Sequence, residues 1–238
     1  MKKKNQKTRV AVVTNCILAV LIVGVFSVGF LPERIAPIFQ KNDPSVCYEG
    51  SRESGRASLL FYVTGDASNV SEILDILQKT DVKCTFFVSG SFALTHETLV
   101  FRVAQEGHEL GNHGCLLTDH GKMTYEENLR DIRACGEILE KIGGTKPRLF
   151  APPDGSFKKT TVQAAKDAGC ATVLWSKSQD KKDTDVKKIV QRAADGVKSG
   201  DLILLYPKKE TVAALPEILG ICSNSGIKLT TVSETIQG

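Results

Sequence analysis

Residues 58–90 read SLLFYVTGDASNVSEILDILQKTDVKCTFFVSG, and this stretch decides the fold. Leu59-Leu60-Phe61-Tyr62-Val63 is a short unbroken apolar run, the pattern of a strand buried on both faces. Thr64-Gly65-Asp66 is a turn. Asn69 is an N-cap candidate, with Glu72 three residues on, close to a capping box. Val70, Ile73, Leu74 and Leu77 then repeat at helical spacing and form one apolar stripe. Cys84-Thr85-Phe86-Phe87-Val88 is a second apolar strand. Strand, helix and strand within about thirty residues predict a βαβ unit, with parallel strands and a right-handed crossover.

Downstream the same alternation continues. Thr98–Glu106 reads as helix and His108–Asn112 as a short strand. Thr124 with Glu127 makes a capping box before a helix carrying Leu129, Ile132, Cys135, Leu139 and Ile142, ended by Gly143-Gly144. Strands are expected at Arg148–Phe150, Ala171–Trp175, Leu202–Tyr206 and Lys228–Val232. Helices are expected at Thr160–Ala168, at Val186–Lys198 and from near Pro216. About seven βα units point to a closed or nearly closed parallel α/β barrel.

Upstream of this domain the chain changes character. Of its 238 residues 42% are hydrophobic and 24% charged, ordinary for a globular protein. The net charge of +4 comes from the first nine residues, where Lys2, Lys3, Lys4, Lys7 and Arg9 meet no acid. The rest is close to neutral, so no nucleic-acid partner is expected. Val10–Leu31 contains no charged residue. At about 1.5 Å per residue it is long enough to span a bilayer. The expectation is a basic cytoplasmic tail (1–9), a transmembrane signal-anchor (10–31), a linker rich in Pro, Ser, Glu and Arg (32–55), and a globular domain (56–238). The basic flank orients that domain to the outside of a cell membrane crossed once. A signal peptide cleaved at Ser27-Val28-Gly29 is the rival reading.

The seven cysteines form no framework. Cys16 falls in the apolar run. Cys84, Cys135, Cys170 and Cys222 fall inside apolar strand or helix patterns, where the thiol behaves as a small hydrophobe. Cys47 and Cys115 lie in less regular stretches. There is no C-x-x-C and no zinc spacing. Free thiols are expected, with one unassigned disulfide left open.

Three stretches resemble a known family. Ile73–Leu77 reads ILDIL, Val82–Gly90 reads VKCTFFVSG and Gly107–His113 reads GHELGNH. Together they resemble the polysaccharide deacetylases, the NodB-homology domain of carbohydrate esterase family four, over about Ser58–Glu234. The resemblance implies a distorted (β/α) barrel of about seven strands with a groove at the strand C-terminal ends. It also implies a hydrolase in which an aspartate and two histidines hold a divalent metal, usually zinc. Such a metal lowers the pKa of its bound water and polarises the acetamide carbonyl.

The chemical positions depart from that pattern. The family's paired aspartates fall at Val63 and Thr64. His113 matches the first histidine ligand, but the second falls at Leu117. Asp66 and His120 are the residues that could rebuild a site, although His120, in the loop Thr118-Asp119-His120-Gly121, reads first as a solvated loop histidine. Phe150–Gly155 reads FAPPDG, so Ala151 replaces the family's arginine. Trp175–Gln179 places Ser178 where an aspartate is usual. Leu202–Pro207 reads LILLYP, so Tyr206 replaces the histidine that acts as general acid, and a phenol with a pKa near 10 is a poor acid at neutral pH.

The sequence therefore predicts a membrane-anchored, extracytoplasmic deacetylase homologue that has lost catalysis, with no metal cofactor and no catalytic residue. Its expected role is glycan binding or scaffolding at the cell envelope, with cell-wall glycan as partner and Thr64, Asp66, His113, Trp175 and Tyr206 lining the groove. One alternative is an active metal-dependent N-deacetylase of peptidoglycan or a chitin-like glycan with a rearranged site. Another is an interaction protein whose groove does nothing.

Overall fold

The structure is a computed structural model that describes residues 45–64 and 66–237. Among the described residues nine parallel-paired strands form one curled sheet: β1 (Val46–Cys47), β2 (Arg56–Val63), β3 (Thr85–Val88), β4 (Glu109–Asn112), β5 (Leu149–Phe150), β6 (Ala171–Val173), β7 (Lys177–Ser178), β8 (Leu202–Leu205) and β9 (Lys228–Leu229). Their order is β1-β6-β5-β4-β3-β2-β8-β7, with β9 on β2. Helices α1 (Ala67–Thr80), α2 (Gly90–Thr95), α3 (Glu97–Gln105), α4 (Tyr125–Gly143), α5 (Lys159–Asp167), α6 (Val186–Ala194), α7 (Lys209–Asn224) and α8 (Val232–Gln237) fill the connections.

β2 is the axis of the sheet. It pairs with β3 through Leu60–Val63 and with β8 through Ser58–Phe61. Its side chains alternate between two cores, as the strand period requires. Leu59, Phe61 and Val63 pack toward the helices with Phe86, Val88 and the α1 stripe of Val70, Ile73, Leu74 and Leu77. Leu60 and Tyr62 turn inward to Phe87, Leu149, Val173, Leu204 and Tyr206. Phe61 stacks on Phe86 with centroids 5.0 Å apart. All of these but Tyr206 are fully buried, and each large apolar side chain so buried contributes roughly 1.5–3 kcal/mol.

All seven strands anticipated from the sequence are present, and the sheet curls as expected. The sheet is not a closed ring of seven, because β1 and β7 end the hydrogen-bonded path. Two short strands were not anticipated, and both sit where the sheet curls round on itself. The chain leaves β6, and Ser176 N donates to Leu202 O at 2.9 Å before β7 joins β8. Residues assigned to a linker also belong to the fold. Val46–Cys47 pairs with β6, Gly50 N donates to Gly200 O at 2.8 Å, and Arg52 pairs with the buried Asp201 at 2.9 Å.

Two helix starts differ from the sequence reading. Asp66, not Asn69, caps α1, its Oδ1 accepting from Ser68 N at 2.8 Å. Helix α7 starts at Lys209, and Pro216 lies inside it. Pro216 is exposed, so water can satisfy the carbonyl that its missing N–H leaves free. The capping box at Thr124 and Glu127 forms as the spacing predicts. Among the described residues no helix is long and apolar enough to cross a membrane. The expected tail, anchor and most of the linker lie outside the described residues.

Candidate functional site

The candidate groove residues follow the C-terminal ends of β2, β4, β6 and β8. At its centre is Tyr62, the last inward-facing residue of β2, fully buried. Four aromatic rings surround it, with Phe87 of β3 edge-on at 5.8 Å. The His113 ring lies 4.3 Å away centroid to centroid, Trp175 at 5.8 Å and Tyr206 at 6.1 Å, the last two edge-on. The Tyr62 hydroxyl is buried without a hydrogen-bond partner. Burial and the neighbouring Tyr206 and Asp154 push its pKa well up.

His113 follows β4 and is buried. Its Nδ1–H donates to the Ala151 carbonyl at 2.7 Å. Burial lowers the His113 pKa to about 4, although that hydrogen bond opposes the shift, so the ring is neutral at pH 7. Ala151 has lost the family's arginine side chain, yet its backbone still orients the histidine. Tyr206 is buried at the end of β8, and burial with Asp154 and Asp180 pushes it up to about 12. It is a weaker acid than a free phenol. At the mouth Lys181 pairs with Asp154 at 2.9 Å, and its Nζ lies 6.0 Å from the Tyr206 ring centre. Asp154 and Gly155 both have positive φ, and a Cβ on Gly155 would come within 2.9 Å of the Trp175 ring. The glycine of FAPPDG is thus what lets Trp175 lie against this loop.

The other anticipated residues make different contacts. Thr64 is exposed just past β2. Asp66 is exposed, and its carboxylate caps α1 rather than facing His113. His120, expected to be a solvated loop histidine, is fully buried, a correction to the sequence reading. Asn128 donates from Nδ2 to the carbonyls of His120, Met123 and Thr124. That leaves Asn128 Oδ1 to accept from His120 Nδ1 at 2.6 Å. Nε2 lies 3.2 Å from Asp131 Oδ2, close but off the line of a hydrogen bond. Gly114, at φ 76°, leaves room for this pair, since a Cβ there would lie 2.6 Å from Nε2. His120 therefore fastens the loop after β4 to α4. His108, at the opposite end of β4, accepts from Cys84 N at 3.2 Å and packs edge-on to Phe86.

These donors do not fit a divalent metal. Asp66 is occupied as a cap and His120 is turned into the loop. Leu117 offers an alkyl group on a left-handed backbone, φ 55°. Among the described residues no three His, Cys, Asp or Glu side chains gather to hold an ion. Val63, where the family has a carboxylate, packs into the helix-side core rather than the groove. The sequence reading missed Tyr62: alternation puts it opposite Val63, and the structure shows that face to be the inner one.

The chain is 30% identical over 192 residues to the uncharacterized protein YlxY of Bacillus subtilis, covering 80% of this chain and 60% of that one. It is 35% identical over 179 residues to a peptidoglycan-N-acetylglucosamine deacetylase of Bacillus cereus, covering 72% of this chain and 84% of the other. Its fold superposes on a CE4 family pseudoenzyme from Bacillus anthracis with a TM-score of 0.78 and 26% identity, over 82% of this chain and 70% of that one. The family model for polysaccharide deacetylase matches residues 51–173, and with the curled parallel sheet and the GHELGNH and FAPPDG loops this places the chain in the polysaccharide deacetylase family.

Proposed function

We propose that the protein is a non-hydrolysing member of its family that binds an N-acetylated cell-envelope glycan in the aromatic groove, tethered to the membrane by residues 10–31 with its domain outside. The observation that carries this reading is the arrangement at Tyr62. Where a hydrolase of this family needs carboxylate, two histidines and open space for water, the groove holds a neutral His113 against an aromatic cluster. Val63 cannot accept a proton, Asp66 caps a helix, and burial leaves His113 a weak base. Tyr206 holds its proton too tightly to act as acid. What remains suits sugar recognition. Trp175 is half-buried beside the Asp154–Gly155 loop, and Asp154 and Lys181 offer polar contacts at the mouth.

The 35% identity to a peptidoglycan deacetylase supports a second reading, an active enzyme with a rebuilt metal site. One experiment separates the two. The purified chain is incubated with N-acetylglucosamine oligomers with and without added zinc. Binding without acetate release is the expected result. Acetate release that a chelator abolishes would overturn the proposal in favour of the enzyme.

A further inference from the structure

We propose that Cys115 and Cys135 are a redox pair that interconverts between dithiol and intramolecular disulfide, and that the disulfide fastens the segment from His113 to Gly121 onto α4. Several contacts of Cys115 fix this geometry. Its backbone N–H donates to Asp131 Oδ2 at 2.8 Å. Its carbonyl accepts from Ser91 N at 2.9 Å. The Cys135 thiol is the main group that holds the Cys115 thiol below its ordinary pKa. Asp131 and Cys135 are four residues apart on α4 and so share one face of it. The same face thus holds Cys115 by its backbone and meets its sulfur. On the other side the sulfur lies against the bare Cα of Gly90, where a Cβ would come within 3.0 Å. Cys135 is anchored in turn, its thiol lying 3.6 Å from the Val88 carbonyl.

Exposure assigns the roles. Cys115 is half-buried and reachable, whereas Cys135 is fully buried. Cys115, as thiolate, attacks one sulfur of an external disulfide, a small molecule or a protein, and expels the first thiolate. Cys135 then gives up its proton, attacks the Cys115 sulfur of the mixed disulfide and expels the second. Two protein thiols become one disulfide, and the external disulfide gains two electrons and two protons to become two thiols.

The test uses the full chain and oxidised glutathione, with alkylation of remaining thiols and peptide mapping. The expected product of the natural protein is a single linked peptide pair containing Cys115 and Cys135, released again by dithiothreitol. Protease cleavage within 113–121 should be slower after oxidation. Cys135→Ala should stop at a glutathione adduct on Cys115, and Cys115→Ala should leave Cys135 unmodified. The natural protein's map decides the question even where a variant fails to fold. If both thiols stay alkylatable after prolonged exposure, or the bridge found joins other cysteines, the proposal falls.

Discussion

The Tyr62 side chain is buried among four aromatic rings, and its hydroxyl finds no partner. A buried donor left unpaired costs about 1–3 kcal/mol. Removing it should therefore stabilise the protein, because the phenyl ring of Tyr62→Phe keeps every packing contact. We expect a gain of about 1 kcal/mol in urea unfolding, with an unchanged slope. A loss of stability would mean that the hydroxyl has a partner after all. At this scale the sequence showed which residues had changed but not what their neighbours had done. Ala151 reads as a lost arginine, yet its carbonyl still holds His113. His120 reads as a loop histidine, and only three-dimensional contacts with Asn128 and Asp131 reveal it as a fastener.

Strand β2 makes the two aspartate positions of the family unequal in this chain. Val63 is buried among helix-side apolar residues, while Thr64 is exposed. Val63→Asp would bury an unpaired carboxylate and should cost about 3 kcal/mol or more. Thr64→Asp should stay within about 0.5 kcal/mol. Equal effects in chemical denaturation would show that the strand register or its alternation differs from that described. Helix α4 offers a second check. Thr124→Ala removes the reciprocal cap with Glu127 and should cost about 1 kcal/mol. Elements of this kind were legible because their signals are local: an apolar run, a helical stripe, a cap three residues from its glutamate. β1 and β7 were not legible, because a two-residue strand carries no periodicity. The start of α7 was missed because an exposed proline inside a helix looks like a helix start.

The molecule as a whole should lose stability in mild acid, and one strand explains why. His108 and His113 flank β4 at its two ends, and both are buried. Burial lowers each pKa to about 4, with Lys83 adding to the effect at His108. An unfolded histidine titrates near 6.5. Between about pH 6.5 and about pH 4 the unfolded chain therefore binds protons that the folded chain refuses. Stability is complete above the unfolded value, falls as pH drops through this window, and stops falling from this cause below about 4. Over the whole window the loss should be on the order of 3 kcal/mol for each histidine. Carboxylates held low by hydrogen bonds, such as Asp66 and Asp119, protonate at still lower pH and contribute below this window. Urea unfolding at pH 7, 5.5 and 4.5 should trace the decline. His113→Gln should be less stable at pH 7 yet lose less on acidification, and His108→Gln should behave alike. Variants that keep the full slope of the natural protein would show that the acid sensitivity has another source.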